Sequence, residues 1–303
     1  MSGPIWRTSR FCVDLARPRV MGIVNVTPDS FSEAGTGPST AHAIARCERM
    51  LAEGADILDI GGESSRPGAE PVSVEQELAR VRPVLAAAVG LGCPVSIDTT
   101  KVEVMRVALD LGVDIVNDIA ALRTPGAIDL ISAHPDCGVC LMHMRGTPRS
   151  MQAEAIYDDV AAEVAAFLRE RIDAAEAAGI ARERIAADPG IGFGKTPAQN
   201  LELLAHQERL LALGVPILVG WSRKSTLARL AGLAAKAPTG RAPAEQARLE
   251  AASVVAAVIA VQRGAHIVRV HDVAATVAGL AVWQASHRAD NRGDLSSDRR
   301  STS

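Results

Sequence analysis

The sequence predicts a single α/β domain folded as a (β/α)8 TIM barrel. Short apolar segments typical of buried parallel strands alternate eight times with longer segments of helical apolar spacing. The chain of 303 residues also has room for the roughly 250 residues that such a barrel needs. An open, doubly wound sheet is the alternative architecture, because the sequence does not show the order of the strands.

Each predicted strand is followed by helical sequence. The strands are predicted at 20–26, 56–61, 94–98, 114–117, 138–144, 185–188, 216–220 and 266–270. Helices are predicted at 40–53 and 74–89, from a cap at Thr99–Thr100 to Leu111, and at 153–177. The helix predicted at 153–177 aligns apolar side chains on one face: Ile156, Val160, Val164, Phe167, Leu168 and Ile172.

The barrel is expected to span residues 20–288. Residues 1–19 are then an N-terminal extension, and the polar residues 289–303 are expected to form a disordered tail. Residues 232–243 are rich in Ala, Gly and Pro, which favours a mobile insert within the seventh strand-helix unit.

The composition excludes several classes of partner. A formal charge of −3 and 3% aromatic residues give neither the charge nor the stacking surface that nucleic acid needs. We find no apolar run that could serve as a signal peptide or membrane span, so we expect a cytoplasmic protein. Five scattered cysteines argue against a disulfide framework, and the C-x-x-C pair Cys137 and Cys140 is predicted to be two buried strand thiols.

Polar side chains follow the predicted strands at the end where barrel enzymes carry their active sites. A candidate site is therefore expected to contain Asn25, Ser65, Arg66, Asp98, Asn117, Met142, His143, Asp188, Ser222 to Ser225, Arg269 and His271. Each residue alone has a simpler structural explanation, such as Asp98 capping a helix or His143 lying satisfied in the core. The coincidence at so many strand ends favours a site.

One group of these side chains suits a pyrophosphate or similar anion. Arg66, Arg269 and His271 supply cationic donors, and Asn25 offers a carbonyl oxygen to a hard metal ion such as Mg²⁺.

A second group suits a flat heterocycle that carries several N–H donors. Asp98, Asn117 and Asp188 supply carboxylate and amide acceptors, and Lys224, after the seventh predicted strand, could reach the same ring.

The segment from Asp188 to Thr196 contains Gly-Lys-Thr, which suggests a phosphate-binding loop. The required first glycine is replaced by Pro189, and the glycines alternate as G-x-G-x-G, so neither nucleotide motif is satisfied. We interpret the segment as a tight loop that places Phe193 over a planar ligand.

Taken together, seven motifs between about residues 20 and 285 resemble those of bacterial-type dihydropteroate synthase, and they occur in that family's order. They are Asn25-Val-Thr-Pro-Asp-Ser-Phe-Ser, Gly62-Glu-Ser-Ser-Arg-Pro-Gly, Asp98-Thr-Thr-Lys, Asn117-Asp118, Asp188-Pro-Gly-Ile-Gly-Phe-Gly-Lys, Ser222-Arg-Lys-Ser and Arg269-Val-His-Asp.

The resemblance assigns roles to individual residues. It implies that the pterin diphosphate is bound by Ser65, Asp98, Asn117, Met142, Asp188, Lys224, Arg269 and His271. It implies that p-aminobenzoate is bound by Phe31, Pro67, Phe193 and Ser225. It implies catalytic roles for Arg66, Lys224, Arg269 and His271, with Asn25 as the ligand of a Mg²⁺ cofactor.

In that family the aryl amine displaces diphosphate from the pterin methylene and forms 7,8-dihydropteroate for folate synthesis. An aryl amine is already nucleophilic and an electron-rich pterin can stabilise a methylene cation, so little acid or base catalysis is needed. The resemblance also implies a homodimer through the late barrel helices, and sulfonamides as mimics of p-aminobenzoate.

The first loop departs from the family pattern, because Glu33-Ala34 stands where Asp-Gly is usual. Ser65 replaces a common threonine and keeps the hydroxyl. Two alternative functions are a pterin-binding paralogue without synthase activity and a methyltetrahydrofolate-dependent methyltransferase. The methyltransferase has no use for the Ser222 and Arg269 motifs, and the paralogue would not need to keep Asn25 and Arg66.

Overall fold

The structure, a computed structural model, describes residues 4–27, 40–65, 69–147, 150–151, 154–234 and 240–297. Three predicted site residues, Phe31, Arg66 and Pro67, lie outside these ranges, as does the unusual pair Glu33-Ala34.

Eight parallel strands form a closed barrel. In chain order they are β3 (Arg19–Asn25), β4 (Ile57–Gly61), β5 (Val95–Asp98), β6 (Ile115–Asp118), β7 (Gly138–Met142), β8 (Ile185–Asp188), β9 (Leu218–Val219) and β10 (Ile267–Val270). Neighbouring strands pair in the order β8-β7-β6-β5-β4-β3-β10-β9. A parallel bridge between Ala187 and Ile217 closes the remaining gap, so the open-sheet alternative is wrong and the barrel is confirmed.

Helices follow the strands on the outside of the barrel. They are α1 (Thr40–Ala52), α2 (Val74–Ala88), α3 (Val102–Asp110), α4 (Ala127–Ala133), α5 (Val160–Ala177), α6 (Pro197–Ala205), α7 (Ser225–Leu230), α8 (Pro243–Gln262) and α9 (Val273–Ser297). Their apolar faces pack on the strands, in the core that lies between the sheet and the helix layer. This packing fixes the carboxyl ends of the strands as one rigid rim.

The N-terminal extension forms an antiparallel hairpin of β1 (Ile5–Arg7) and β2 (Cys12–Asp14). Trp6 is fully buried among side chains from inside the barrel, and its indole nitrogen donates to the Arg184 carbonyl over 2.9 Å. Burying an indole removes a large apolar surface from water, so the hairpin stabilises the barrel end opposite the site.

Two helix starts differ from the predictions. The helix expected from residue 153 begins at Val160, after Asp159 has capped it by accepting the Ala162 N–H over 2.9 Å. Ile156 precedes this cap and is 74% exposed, so its place on the apolar face is wrong. The Thr99–Thr100 cap is also wrong, because the N-cap position of α3 is Lys101 and makes no side-chain cap bond.

Three further differences concern the length of a strand, the presence of a helix and the end of the last helix. The seventh strand was expected over 216–220, but only Leu218–Val219 pair as a strand. Helix α4 was not predicted; seven residues are too few for a clear apolar period. Helix α9 continues to Ser297, past the predicted boundary at 288, because an established helix extends more readily than a new one starts.

All five cysteines are free thiols, and Cys137 and Cys140 are buried in or beside β7 as predicted. No helix within the described ranges is both long enough and apolar enough to span a bilayer.

Candidate active site

A cavity of about 440 Å³ opens at the carboxyl ends of the barrel strands. Every predicted site residue in the described ranges except His143 borders it: Asn25, Ser65, Asp98, Asn117, Met142, Asp188, Phe193, Ser222 to Ser225, Arg269 and His271. These residues come from distant parts of the chain, and only closure of the barrel brings them together. Arg241, from the predicted insert at 232–243, borders the cavity as well. His143 is buried and its ring packs against Phe167, so its structural explanation is the right one.

Arg269 joins the two groups of side chains that the sequence suggested as separate. It stands on β10 and donates from Nη2 to Asp98 Oδ2 over 2.5 Å and from Nε to Asp59 Oδ2 over 2.6 Å. One guanidinium therefore lies between two carboxylates, with its side chain 19% exposed towards the cavity. The cationic end and the acceptor end of the site meet at this residue.

Asp59 is a site residue that the sequence analysis missed. It is completely buried in β4, and its Oδ2 also accepts the Asn117 amide over 3.3 Å. The other carboxylate oxygen, Oδ1, is buried and has no hydrogen-bond partner among the described residues. A single acid inside an otherwise apolar strand was the signal that could have identified it, since unpaired buried carboxylates are avoided. Asp59 orients both Arg269 and Asn117.

Burial and the neighbouring charges change the acid-base properties of this cluster. Burial raises the pKa of Asp98 to about 7; the Arg269 guanidinium opposes that shift and Asp59 adds to it. Burial alone would lower the pKa of Arg269, but the carboxylates of Asp59 and Asp98 raise it above its ordinary value. Arg269 is therefore a permanent cation at any physiological pH, while Asp98 changes charge near neutrality.

Asp188 and the turn after it form another wall of the cavity. Its Oδ1 accepts the Gly190 N–H over 2.7 Å, and burial raises the pKa of its carboxyl group. Asp118, next to Asn117, is different: its two oxygens accept the N–H groups of Ala120 and Leu122, both over 2.7 Å. Asn117 therefore faces the cavity, whereas Asp118 holds the turn behind it.

Lys224 and Phe193 both border the cavity and contact each other. The Lys224 ammonium is 4.2 Å from the centre of the Phe193 ring, a cation-π contact between two loops. The position of Phe193 beside the cavity agrees with the predicted rim loop, and its partner in this structure is Lys224.

The turn after β9 sets the orientation of His271. Ser222 Oγ accepts the backbone N–H of His271 over 3.1 Å and lies 3.0 Å from its Nδ1. With the hydroxyl donating to Nδ1, the imidazole carries its proton on Nε2 and can donate from there to an anion. Arg223 adopts a left-handed φ of +59° and pairs with Asp272, which holds this turn in place.

The loop after β4, which carries Ser65, is fixed by an ion-pair cluster that was not predicted. Lys101 Nζ donates to Glu77, a fully buried acid on α2, over 2.6 Å, and it also donates to Glu63. Glu63 in turn accepts the Val72 N–H over 3.0 Å. These contacts anchor the loop that carries Ser65 to the loop after β5.

Asn25 is the predicted metal ligand, and it lies half-buried at the carboxyl end of β3. Within the described ranges, no three His, Cys, Asp or Glu side chains are grouped so that they could hold a metal ion. Mg²⁺ keeps several waters and is often bound by one or two protein oxygens together with substrate phosphates. The single amide oxygen of Asn25 suits an ion of that kind, held mainly by a bound diphosphate.

Comparison with known proteins identifies the family of this chain. The model of the family "Pterin binding enzyme" matches residues 21–271. A dihydropteroate synthase of Neisseria meningitidis serogroup C is 49% identical over 288 residues, covering 94% of this chain and 98% of that protein.

Two solved structures from Xanthomonas albilineans are also similar. The structure of dihydropteroate synthase with 4-aminobenzoic acid matches this chain with a TM-score of 0.85 and 50% sequence identity. The match covers 94% of this chain and 98% of that one. The complex with 7,8-dihydropteroate has a TM-score of 0.82 and 48% identity, covering 94% and 99%. The chain therefore belongs to the pterin-binding enzymes and, within them, to the dihydropteroate synthases.

Proposed function

We propose that this chain condenses (7,8-dihydropterin-6-yl)methyl diphosphate with p-aminobenzoate to give 7,8-dihydropteroate and diphosphate. One observation carries the proposal: Arg269 connects the buried acceptors Asp59 and Asp98 to a cavity that His271 and Asn25 also border. A substrate with a hydrogen-bonding ring and a diphosphate needs these two environments side by side.

The pterin ring is proposed to bind to the acceptor wall. Asp98, Asn117 and Asp188 lie at the carboxyl ends of three different strands, β5, β6 and β8, and border the same cavity. Carboxylate and amide oxygens on several sides of a flat ring can pair with the amino and ring N–H groups of a pterin. Such a site rejects rings that lack these donors, because its buried acceptors would be left unpaired.

The diphosphate is proposed to lie against Arg269 and the Nε2–H of His271. As the C–O bond to the pterin methylene breaks, its electron pair moves to the diphosphate oxygen. The amine nitrogen then forms the C–N bond with its lone pair and transfers one proton to water. Fixed cationic donors stabilise the charge that develops on the leaving group. Mg²⁺, if held by Asn25 and the diphosphate, would neutralise part of that charge. Phe193, whose ring contacts Lys224, is proposed to orient the aromatic amine.

We expect the rate of the chemical step to depend only weakly on the nucleophilicity of the amine, because bond breaking precedes bond formation in a cation-like transition state. Electron-withdrawing substituents on p-aminobenzoate should change the single-turnover rate by less than about threefold across a series with graded amine basicity. The measurement is rapid-quench analysis at saturating amine. A steep dependence on basicity would instead require the amine to attack in the transition state.

The proposed activity is tested by incubating the purified chain with the pterin diphosphate, p-aminobenzoate and Mg²⁺. We expect diphosphate and dihydropteroate to form in equal amounts, and neither to form when p-aminobenzoate is left out. Binding of the pterin diphosphate without product formation would identify the chain as an inactive pterin-binding paralogue. Omitting Mg²⁺ in a parallel reaction tests the proposed cofactor, for which we expect a large loss of rate.

Two properties of the whole protein complete the proposal. Exposed apolar side chains on α7, α8 and α9, namely Leu230, Val255 and Val282, support a homodimer through the late barrel helices. Analytical ultracentrifugation tests this state.

The free thiols of the five cysteines support a reducing, cytoplasmic location.

A further inference from the structure

The Gly-Lys-Thr sequence after β8 has no role in the function described so far. Lys195 does not point at the cavity; it is 2% exposed and turned into the protein. Its ammonium nitrogen is 2.9 Å from His143 Nδ1 and donates to the carbonyl oxygens of Gly190 and Phe193, each over 3.0 Å. The His143 carbonyl oxygen is a fourth, more distant acceptor at 3.5 Å, so the three closest acceptors match the three N–H donors of an ammonium group.

The acceptors belong to the two loops that follow β7 and β8. His143 directly follows β7, and its ring packs edge-on against Phe167 with centroids 4.9 Å apart. Gly190 has a left-handed φ of +68°, and a Cβ atom there would lie 1.9 Å from the His143 carbonyl oxygen. The loops are therefore in close contact, and Lys195 fastens them from the inside.

We propose that Lys195 is a positioning residue that holds Phe193 at the aryl-amine side of the cavity, an inference that rests on the proposed function. Phe193 is bound through its carbonyl oxygen to Lys195 and through its ring to Lys224. Of the three pterin-binding acceptors, Asp98 and Asn117 stand on β5 and β6, outside these loops. The third, Asp188, ends β8, and its bond to the Gly190 N–H does not involve Lys195. Loss of the Lys195 bonds should therefore affect the amine much more than the pterin.

The surroundings of Lys195 make this contact sensitive to pH. Burial lowers the pKa of Lys195 to about 7 and that of His143 to about 2, so the imidazole stays neutral and accepts. The charged groups that act on Lys195 are Asp188, which favours the ammonium, and Lys224 and Arg145, which oppose it. Above pH 7 the neutral amine loses its charge, so its bonds to the Gly190 and Phe193 carbonyl oxygens are no longer charge-assisted and the contact between the loops weakens.

The test compares the Michaelis constants of both substrates in Lys195→Met and in the unaltered enzyme. We expect the KM for p-aminobenzoate, measured at saturating pterin diphosphate, to rise roughly tenfold. The KM for pterin diphosphate should change by less than about threefold. In the unaltered enzyme the KM for p-aminobenzoate should increase as the pH rises through about 7, whereas in K195M it should be high and independent of pH.

Arg184→Met is the matched control. Arg184 is also a buried cation that bonds backbone carbonyls, those of Cys137 over 2.8 Å and Ile131 over 3.0 Å, at the opposite end of the barrel. Its loss should lower the melting temperature and leave both KM values unchanged. If K195M does not fold, Lys195→Gln and the pH profile of the unaltered enzyme decide the question.

Three outcomes would overturn the inference: unchanged KM values in K195M, equal changes in both KM values, or a pH-independent KM for p-aminobenzoate in the unaltered enzyme. An unaltered enzyme that makes no dihydropteroate would overturn the proposed function and this inference with it. Product formation by the unaltered enzyme separates the two failures.

Discussion

Arg269→Met is expected to lower kcat by roughly a thousandfold, because it removes the fixed cation that stabilises the departing diphosphate. The substitution also leaves Asp59 and Asp98 facing each other in a buried site without a counter-ion. Leaving a buried charge uncompensated typically destabilises a protein by about 3–5 kcal/mol. Steady-state kinetics and denaturant unfolding measure the two effects separately.

The matched control is Arg10→Met at the other end of the barrel. Arg10 pairs over 2.6 Å with Asp114, which is fully buried, so this variant also strands a buried carboxylate. It should lose stability and keep the kcat of the unaltered enzyme. Equal losses of kcat in R10M and R269M would show that the effect of R269M comes from instability alone.

Asp98→Asn is expected to reduce kcat/KM for the pterin diphosphate by roughly a thousandfold. The new amide has nearly the same shape, but it presents an N–H group where the pterin needs an acceptor. Two N–H groups then face each other in a buried site, which weakens pterin binding by several kcal/mol. The KM for p-aminobenzoate should change much less. Asp114→Asn, which alters a buried carboxylate far from the cavity, controls for the loss of charge.

The raised pKa of Asp98 adds a pH dependence to this prediction. With a pKa of about 7, its carboxyl group is protonated below pH 7 and cannot accept fully from the pterin. Pterin affinity should therefore rise with pH through about 7 in the unaltered enzyme and be flat in D98N. The free energy of unfolding should change in the opposite direction. Between about pH 4 and 7 the Asp98 carboxyl group is protonated in the folded state and ionised in the unfolded state, so the free energy of unfolding falls as the pH rises.

The barrel was predictable because its signals are local and repeated. Each strand is a short, largely apolar run, and several end in a polar residue, such as Asp98 or Asp188. The alternation with helices indicates parallel pairing. The differences occur where tertiary packing overrides local pattern. Asp159 caps α5 after an apolar segment that reads as helix, and Trp6 gives the N-terminal extension a fixed place that its composition does not show.

The members of the site were predictable, but their connections were not. The sequence suggests a cationic group with Arg269 and an acceptor group with Asp98, yet it cannot show that one guanidinium bonds to both Asp98 and Asp59. Side chains on different strands meet only after the barrel closes. Lys195 was missed for a related reason: its direction depends on the loop path, which the positive φ of Gly190 sets.

The central claim is that ring and diphosphate are held by different groups that meet at Arg269. The most direct test is calorimetric binding of the pterin diphosphate and of the same dihydropterin with a hydroxymethyl group in its place. The unaltered enzyme should bind the diphosphate much more tightly. R269M should lose most of that difference while still binding the hydroxymethyl compound, and D98N should weaken both ligands by a similar factor. If both variants weaken both ligands equally, the ring and the diphosphate are not held by separate groups.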